Sequence, residues 1–299
     1  MSILAIDIGG TSIKTGIFDE QGILESTSEY ETEAQNGVDA LIDKLCNIIF
    51  AHKGIRAVGI SSSGQVDSRT GHIVFATEAF PGYTGTPLRK ILTELIGLPI
   101  TIDNDVNCAA VGEAKFGAGR RHNDFICITY GTGIGGAIVI DKKIYSGVNG
   151  IAGEIGHMLT HANGKACVCG KRGCYEMYGS TKALVENIRK LTGKSMDGQE
   201  IFKHFDVPVI REAIDSWIDE VVWGLVSLSH IFNPPCFILG GGILNESYVF
   251  KQIGVKLSER VIPSFRNSEI KRAEKGNHAG IYGAYWNAQN SILNSILKE

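Results

Sequence analysis

Short apolar runs that end in glycine or small polar residues define most of the strands that this sequence predicts. Residues 3–19 and residues 125–141 each read as a buried strand, a glycine and threonine turn, a second strand and a closing Asp. Each segment therefore predicts a β-hairpin whose turn has few side chains to block the close approach of a ligand. Further strands are predicted at 56–62, 100–103 and 236–239.

Apolar residues at helical spacing alternate with these strands. They predict helices over residues 37–52, 87–96, 106–116, 180–191, 207–232 and 278–297. Alternating strands and helices with two hairpins indicate an α/β fold in which helices cover the sheets. The two matched hairpins predict two similar domains that face each other across a cleft. We place these domains at residues 1–117 and 118–280, and expect the last helix, about 280–297, to pack back on the first domain.

Composition and charge narrow the class of protein. The 299 residues can bury a large core, and the net charge of −3 gives no basic field that would attract nucleic acid. The sequence lacks an apolar run of the roughly 18 residues that a membrane span needs. Seven cysteines without a basic leader segment are what we expect of a reduced, cytoplasmic protein.

Many of the 37 glycines are concentrated directly after apolar runs. The clusters are Gly9-Gly10, Gly131 to Gly136 and Gly240 to Gly242. Such turns present backbone N–H groups and threonine hydroxyls, which suit phosphate oxygens. One glycine turn is weak evidence of a phosphate site, whereas two matched turns in two hairpins are a stronger signal.

One histidine and three closely spaced cysteines make up a complete ligand set for a metal ion. His157 precedes Cys167, Cys169 and Cys174, which have glycines between them. Thiolate and imidazole are preferred donors of Zn²⁺, and four protein ligands would make the ion structural. Disulfides or small buried residues are the alternatives, and the Cys-x-Cys spacing departs from the common Cys-x-x-Cys. The lack of a leader segment argues against disulfides.

Acidic residues stand beside this cluster and at the end of a predicted strand. Glu154 and Glu176 flank the metal segment, so a metal that fixes the loop would also fix both carboxylates. Asp103, Asn104 and Asp105 stand at the carboxyl end of the strand at 100–103, beside the N-terminus of a helix. In open α/β sheets, ligands bind at this location.

Several of these motifs resemble those of the ROK family (repressors and sugar kinases), within the actin, Hsp70 and hexokinase superfamily. Three segments of the chain resemble motifs of the superfamily. The first phosphate motif is matched by Asp7-Ile-Gly-Gly-Thr11 with Lys14, and the second by Gly131-Thr-Gly-Ile-Gly135. The adenosine motif is matched by Leu239-Gly-Gly-Gly-Ile243. The narrower family is indicated by Asn104-Asp105-Val-Asn107, Glu154-Ile-Gly-His157 and the cysteine segment. The resemblance implies two actin-like (ribonuclease H-like) domains with a cleft between them and a zinc-bound loop.

The resemblance further implies an ATP-dependent sugar kinase. Asp105 would be the general base that takes the proton of the attacking sugar hydroxyl, although an Asp there could also be a helix N-cap. Asp7 would hold Mg²⁺ through water, and Lys14 would either reach phosphate or lie exposed on its strand. The residues implied in nucleotide binding are Asp7, Gly9, Gly10, Thr11, Lys14, Gly131, Thr132, Gly133, Gly135, Gly240, Gly241 and Gly242.

The same resemblance implies a set of sugar contacts. One ring nitrogen of His157 would bind zinc while the other donates to a sugar hydroxyl, whereas an isolated buried His is more often a satisfied core residue. The implied sugar-binding residues are Gly64, Asn104, Asp105, Glu154, His157 and Glu176.

The nature of the sugar is less well defined by the sequence. Glucose-type members of the family carry Asn-Leu-x-Gly-Trp in a loop over the sugar, where this chain has Ala79-Phe-Pro-Gly-Tyr83. We expect a different or roomier pocket on that side of the ring. Residues 191–202 and 277–284 look like β-glucoside kinases, which favours phosphorylation of the 6-hydroxyl of a β-glucoside such as cellobiose, or of glucose, over an N-acetylmannosamine kinase.

A sugar sensor without catalysis is the alternative from another class. Repressors of the family carry a helix-turn-helix domain before the first phosphate motif, which begins here at Asp7, so we expect no such domain. A sensor would also not need Asp7, Asp105 and both phosphate turns. The sequence therefore favours a kinase, and the resemblance implies a homodimer.

Overall fold

The fold is described from a computed structural model of the chain, which describes residues 2–77 and 80–296. Ala79 of the loop compared above and Leu297 of the predicted last helix lie outside the described residues. The chain divides into two compact units, the first formed by residues 1–121, 143–152 and 277–299, and the second by residues 122–142 and 153–276. Within the described ranges, no helix is both long enough and apolar enough to cross a membrane.

The strands alternate with helices along most of the chain. The strands are β1 (Ser2–Ile8), β2 (Ser12–Phe18), β3 (Leu24–Glu31), β4 (Ile55–Ser62), β5 (Gln65–Asp67), β6 (His72–Phe75), β7 (Ile100–Asn104), β8 (Phe125–Tyr130), β9 (Ile134–Ile140), β10 (Lys143–Ile144), β11 (Cys236–Gly240) and β12 (Glu269–Arg272). The helices are α1 (Gly37–Ala51), α2 (Leu88–Ile96), α3 (Asp105–Phe116), α4 (Glu176–Gly179), α5 (Thr181–Thr192), α6 (Gly198–Lys203), α7 (Pro208–Phe232), α8 (Ser247–Arg260) and α9 (Ala279–Ile296).

The first unit has a five-stranded sheet with the order β3-β2-β1-β4-β7. Strands β1, β4 and β7 are parallel, whereas β2 is antiparallel to both of its neighbours. One face of the sheet packs on α1 and α2 through a core that includes Leu45 and Leu92. The other face packs on α3 and α9 through Cys108, Ile281 and Tyr285. The carboxyl ends of β1, β4 and β7 therefore share one edge of a sheet that helices cover on both faces.

The second unit repeats the combination of a hairpin with parallel strands. Strands β9, β8, β11 and β12 lie side by side in that order, with β9 antiparallel to β8 and the others parallel to it. Its core joins the sheet to α5, α7 and α8, for example through Leu184, Ile218, Ile253 and Phe237. The α/β fold that the sequence predicts is confirmed.

Several elements were not among those predicted from the sequence, and helix α8 and strand β3 are the longest of them. Helix α8 buries Val249, Ile253 and Leu257 at a spacing of four residues, a helical signal that was present in the sequence. Strand β3 lies at the edge of its sheet and most of its side chains are exposed. It has no buried face, so it lacks the alternation by which strands are recognised.

Backbones approach closely where helix α9 packs in the first unit. A Cβ atom added to Gly283 would lie 1.8 Å from the carbonyl oxygen of Cys108 in α3. A Cβ atom added to Gly59 in β4 would lie 1.9 Å from the carbonyl oxygen of Ala284. Real Cβ atoms do not approach backbone so closely, so these two glycines are required by packing.

Replacing Gly283 with Ala tests this packing. We expect Gly283→Ala to lower the free energy of unfolding by about 3 kcal/mol, because the new methyl group must displace backbone. The matched control is Gly254→Ala in the middle of helix α8, where an added Cβ would meet no heavy atom of the described residues within 4 Å. That change should raise the free energy of unfolding by roughly 0.5–1 kcal/mol. Urea titration measures both, and equal effects would contradict the packing described here.

Candidate active site

Asn104 joins the end of β7 to the start of α3 and uses its whole side-chain amide to do so. Its Oδ1 accepts hydrogen bonds from the backbone N–H groups of Val106 at 3.0 Å and Asn107 at 3.1 Å. Its Nδ2 donates to the carbonyl oxygen of Gly64 and to Oδ1 of Asp105, both at 2.8 Å. Two donors and two acceptor positions exhaust the capacity of an amide. Asn104 therefore holds Gly64, Asp105 and the first turn of α3 in one arrangement.

Asp105 is the first residue of helix α3. Its Oδ1 accepts from the Asn104 amide and from the backbone N–H of Val106, the latter at 2.9 Å. The alternative that Asp105 is the N-cap is wrong, because Asn104 has that role. The carboxylate lies at the positive end of the helix dipole, which favours its negative charge. The structure thus orients a carboxylate at the strand end where the sequence predicts a general base.

Asp7 occupies the corresponding end of β1. Its carboxylate accepts a hydrogen bond from the hydroxyl of Ser61 and lies against Gly280 in the first turn of α9. Burial raises the pKa of Asp7, whereas the Ser61 hydrogen bond and the charge of Lys14 lower it. Lys14 stands opposite Asp7 in the register of the hairpin. Its charge therefore acts on Asp7, and its contact with phosphate stays a prediction.

Asp103 is a buried carboxyl beneath this strand end, and sequence reasoning gave it no role. Its Oδ1 accepts from the backbone N–H of Asn104 at 2.8 Å and from Nδ2 of Asn107 at 3.0 Å. Burial raises the pKa of Asp103 to about 6, although both hydrogen bonds lower it. The acidic run 103–105 therefore contains one carboxyl in the interior and one at the strand end.

The pH dependence of stability tests the burial of Asp103. The folded pKa of about 6 lies above the ordinary value of 3.8, so the stabilising contribution is present at low pH and is lost as the pH rises through 6. Between pH 5 and pH 7.5, we expect the free energy of unfolding of the wild type to fall by roughly 1–2 kcal/mol more than that of Asp103→Asn. Asn keeps an acceptor for both hydrogen bonds.

Urea titrations of the wild type and the variant at both pH values measure this effect. As a control, Asp43→Asn removes a carboxyl from an exposed position of α1, outside the Asp103 network. If Asp103→Asn kept the whole pH dependence of the wild type, the assignment to Asp103 would be wrong.

Three glycines of the predicted nucleotide motifs face open space. A Cβ atom added to Gly10, Gly131 or Gly242 would meet no heavy atom of the described residues within 4 Å. None of the three has a positive φ. Neither packing nor a positive φ therefore requires glycine at these positions, and the open backbone leaves room for the close approach of a ligand.

Two other glycines of the same motifs have close neighbours, of which only those of Gly241 are backbone atoms. A Cβ atom added to Gly241, which has a φ of 122°, would lie 2.1 Å from the carbonyl oxygen of Tyr130. One added to Gly133 would lie 2.3 Å from Oε2 of Glu176. The remaining members are Gly9 and Thr11 in the first turn, exposed Thr132 in the second, Gly135 opposite Thr129 in the hairpin, and Gly240 at the end of β11.

The predicted metal ligands converge. The Sγ atom of Cys167 lies 3.7 Å from Nδ1 of His157, and the sulfurs of Cys169 and Cys174 are 3.6 Å apart. All four ligand atoms lie within 4.8 Å of one another. A tetrahedral zinc ion with bonds of about 2.3 Å to sulfur separates its sulfurs by ~3.8 Å. The donor set therefore fits zinc, and the disulfide alternative is wrong because all the cysteines are free.

The two ring nitrogens of His157 have different neighbours. Nδ1 faces the cysteine sulfurs, whereas Nε2 lies 3.9 Å from Oε2 of Glu154. A metal on Nδ1 leaves the proton on Nε2, which is then a hydrogen-bond donor on the Glu154 side. The geometry accommodates both tasks that the sequence assigns to this residue.

A buried pair of tyrosines anchors the segment between the cysteines and Glu176. The hydroxyl of Tyr175 donates to the carbonyl oxygen of Val221 at 2.7 Å and lies 2.9 Å from the hydroxyl of Tyr130. Gly224 in α7 leaves room for the Tyr175 ring, since a Cβ atom there would lie 2.3 Å from it. Sequence reasoning missed this pair, because no local periodicity links residues 45 positions apart.

Glu176 lies on the glycine turn of the second hairpin. Its Oε2 accepts a hydrogen bond from the backbone N–H of Ile134 at 3.0 Å, beside Gly133. A carboxylate that the sequence assigns to the sugar thus lies against the turn that it assigns to phosphate.

Tyr83, which ends the loop compared above with glucose-type members, is part of the core. Tyr83 is fully buried, and its hydroxyl lies 2.8 Å from that of Ser62. Burial raises the pKa of Tyr83 to about 12. Its ring packs on Phe80 with a centroid distance of 5.3 Å. The different sugar pocket expected from this loop stays a prediction.

Comparison with known proteins identifies the family. The ROK family model matches residues 3–291. The chain belongs to the ROK family. A glucokinase from Streptomyces coelicolor is 33% identical to it over 307 residues, which cover 94% of this chain and 95% of the relative. A beta-glucoside kinase from Listeria innocua is 30% identical over 293 residues, which cover 96% and 97%.

A solved structure of the ROK family has the same fold. It is a glucokinase from Streptomyces griseus in complex with glucose and AMPPNP, with a TM-score of 0.86 and 31% identity. The match covers 97% of this chain and 100% of that one. The family resemblance and the actin-like fold that the sequence predicts are confirmed, and these relatives support sugar kinase activity.

Proposed function

We propose that this ROK protein is an ATP-dependent kinase that transfers the γ-phosphate to the 6-hydroxyl of a glucose-type sugar, either a β-glucoside such as cellobiose or glucose itself. The observation that carries the proposal is the carboxylate of Asp105, oriented by Asn104 and Val106 at the start of α3. Sugar kinase relatives support the reaction class.

Asp105 would act as the general base. A sugar hydroxyl is a poor nucleophile, and a carboxylate within hydrogen-bond reach takes its proton as the oxygen attacks the γ-phosphate. Two donors fix Oδ1 of Asp105, so the direction of the carboxylate is set before a substrate arrives. Asn104 would serve chiefly to hold this direction, and the sugar contact that the family resemblance implies would replace one of its four hydrogen bonds.

The nucleotide would lie against backbone at Gly10, Gly131 and Gly242, the glycines that face open space. Asp7 has the oxygen donors and the position at the end of β1 that suit Mg²⁺, which keeps much of its water shell. When bound, the ion neutralises charge on the phosphate oxygens. Lys14 would add a positive charge beside Asp7.

Sugar hydroxyls would be recognised by groups that are costly to leave unpaired. In the second unit these are Glu154, the Nε2–H of His157 and Glu176. In the first unit they are Gly64 and Asn104 beside the catalytic Asp105.

We propose a structural Zn²⁺ held by His157, Cys167, Cys169 and Cys174, a site that needs reduced thiols and therefore suits a cytoplasmic protein. The family resemblance supports a homodimer.

Turnover of a panel of sugars tests the reaction. We expect cellobiose or glucose to give the highest kcat/KM when ADP release is followed with ATP as the donor. Asp105→Asn should lower kcat by about 10²–10⁴-fold, because it removes the base. Sugar affinity of the variant, measured by calorimetry, should stay within a few-fold of the wild type.

Other outcomes of this assay separate the alternatives. N-acetylmannosamine as the preferred sugar would replace the substrate proposed here. Sugar binding without turnover would indicate a sensor, and full turnover by Asp105→Asn would show that another group is the base.

Metal analysis tests the zinc site. We expect one equivalent of zinc per chain, lost in Cys169→Ser and retained in Cys46→Ser, which changes a cysteine on α1 in the other unit. Zinc loss should weaken sugar binding by at least about tenfold, because Glu154, His157 and Glu176 lose their support, while AMPPNP binding changes less. An equal loss of both affinities would contradict a metal that supports the sugar-binding residues.

A further inference from the structure

We propose that Glu176 couples sugar binding to nucleotide binding. In the sugar-free protein its carboxylate covers the second phosphate turn, defined here as residues 131–134, and a sugar hydroxyl draws it away. This proposal rests on the sugar kinase function proposed above, and it adds an order of binding in which the sugar prepares the nucleotide site.

The position of the carboxylate is the first step. Oε2 of Glu176 accepts the backbone N–H of Ile134 at 3.0 Å. The same oxygen lies 2.3 Å from the place that a Cβ atom of Gly133 would occupy. The carboxylate therefore uses one N–H of the turn and covers the backbone at Gly133, where glycine is needed to make room for it.

The N–H of Gly131 donates to the carbonyl of Gly133 at 2.9 Å, and the rest of the turn is open to an anion. Gly131 faces open space and Thr132 is exposed. The turn is also fixed by the backbone N–H of Lys182, which donates to the carbonyl of Gly131 at 3.3 Å. A phosphate in this turn would compete with Glu176 for the N–H of Ile134 and would meet a charge of the same sign.

The chain around Glu176 restricts the movement to its side chain. Tyr175 is fully buried, and its hydroxyl is fixed by Val221 and Tyr130. The backbone N–H of Tyr175 donates to the carbonyl of Met158 at 2.8 Å. The main chain of Glu176 is thus restrained by its fixed neighbour Tyr175. The carboxylate can still leave the turn by rotation of the side chain.

A sugar hydroxyl that donates to Glu176 would stabilise the rotated position and free the N–H of Ile134. The nucleotide phosphate would then bind a turn without an opposing carboxylate. By thermodynamic linkage, the nucleotide must strengthen sugar binding by the same factor. In this scheme Glu176 contacts the sugar directly and affects the phosphate through its position on the turn.

Calorimetric titration of nucleotide without any sugar tests the proposal directly. The probes are AMPPNP with Mg²⁺, whose phosphates reach the turn, and adenosine, which has none. We expect Glu176→Gln to bind AMPPNP about tenfold more tightly than the wild type, because the amide can still accept from Ile134 but carries no charge. Adenosine should bind both proteins equally.

Two further comparisons complete the test. Glu186→Gln removes the same charge from a partly exposed residue of α5 that pairs with Lys182, and it should bind AMPPNP as the wild type does. In the wild type, saturating cellobiose or glucose should tighten AMPPNP binding by about tenfold, and in Glu176→Gln this effect should be lost.

Unchanged or weaker AMPPNP binding by sugar-free Glu176→Gln would overturn the coupling, and so would an equal gain in adenosine affinity. The sugar-free titrations do not depend on which sugar is phosphorylated. A failure of all variants to bind AMPPNP, or the absence of sugar turnover, would instead overturn the proposed kinase function.

Discussion

Close packing at glycine positions, where a Cβ atom would clash with a neighbour, is the constraint on which both units depend. In the first unit it sets the distance of α9 from β4 and α3, through Gly59 and Gly283. In the second unit Gly224 admits the ring of Tyr175, and Gly241 lies against the carbonyl of Tyr130. Because these approaches leave no space for a methyl group, the elements that carry the acidic and glycine motifs have little freedom to shift.

The main elements of the fold could be predicted from sequence because their signals are local. The two hairpins and most helices have a clear apolar period, and the structure contains them within a few residues of the predicted bounds. Strand β3 has no buried face and therefore no period to detect. Helix α8 has such a period at Val249, Ile253 and Leu257, so its omission was a failure to use an available signal.

The candidate site likewise has features that could be predicted from sequence and features that could not. The spacing of His157 and the cysteines predicted their convergence, because a chain segment with many glycines can turn back on itself within a few residues. The pairing of Tyr130 with Tyr175, and the contact of Glu176 with Ile134, join residues more than 40 positions apart. Only tertiary packing decides such contacts, so no motif in a single sequence reveals them.

The first unit combines segments from distant parts of the chain, which affects how it can fold during synthesis. Its helix α9 comes from residues 277–299, whereas every residue of the second unit precedes them. On the ribosome, the second unit can therefore complete its core first, while Ile3, Ala5 and Ala57 on one sheet face wait for α9 to cover them. The nascent chain thus carries an uncovered apolar face until its last helix emerges.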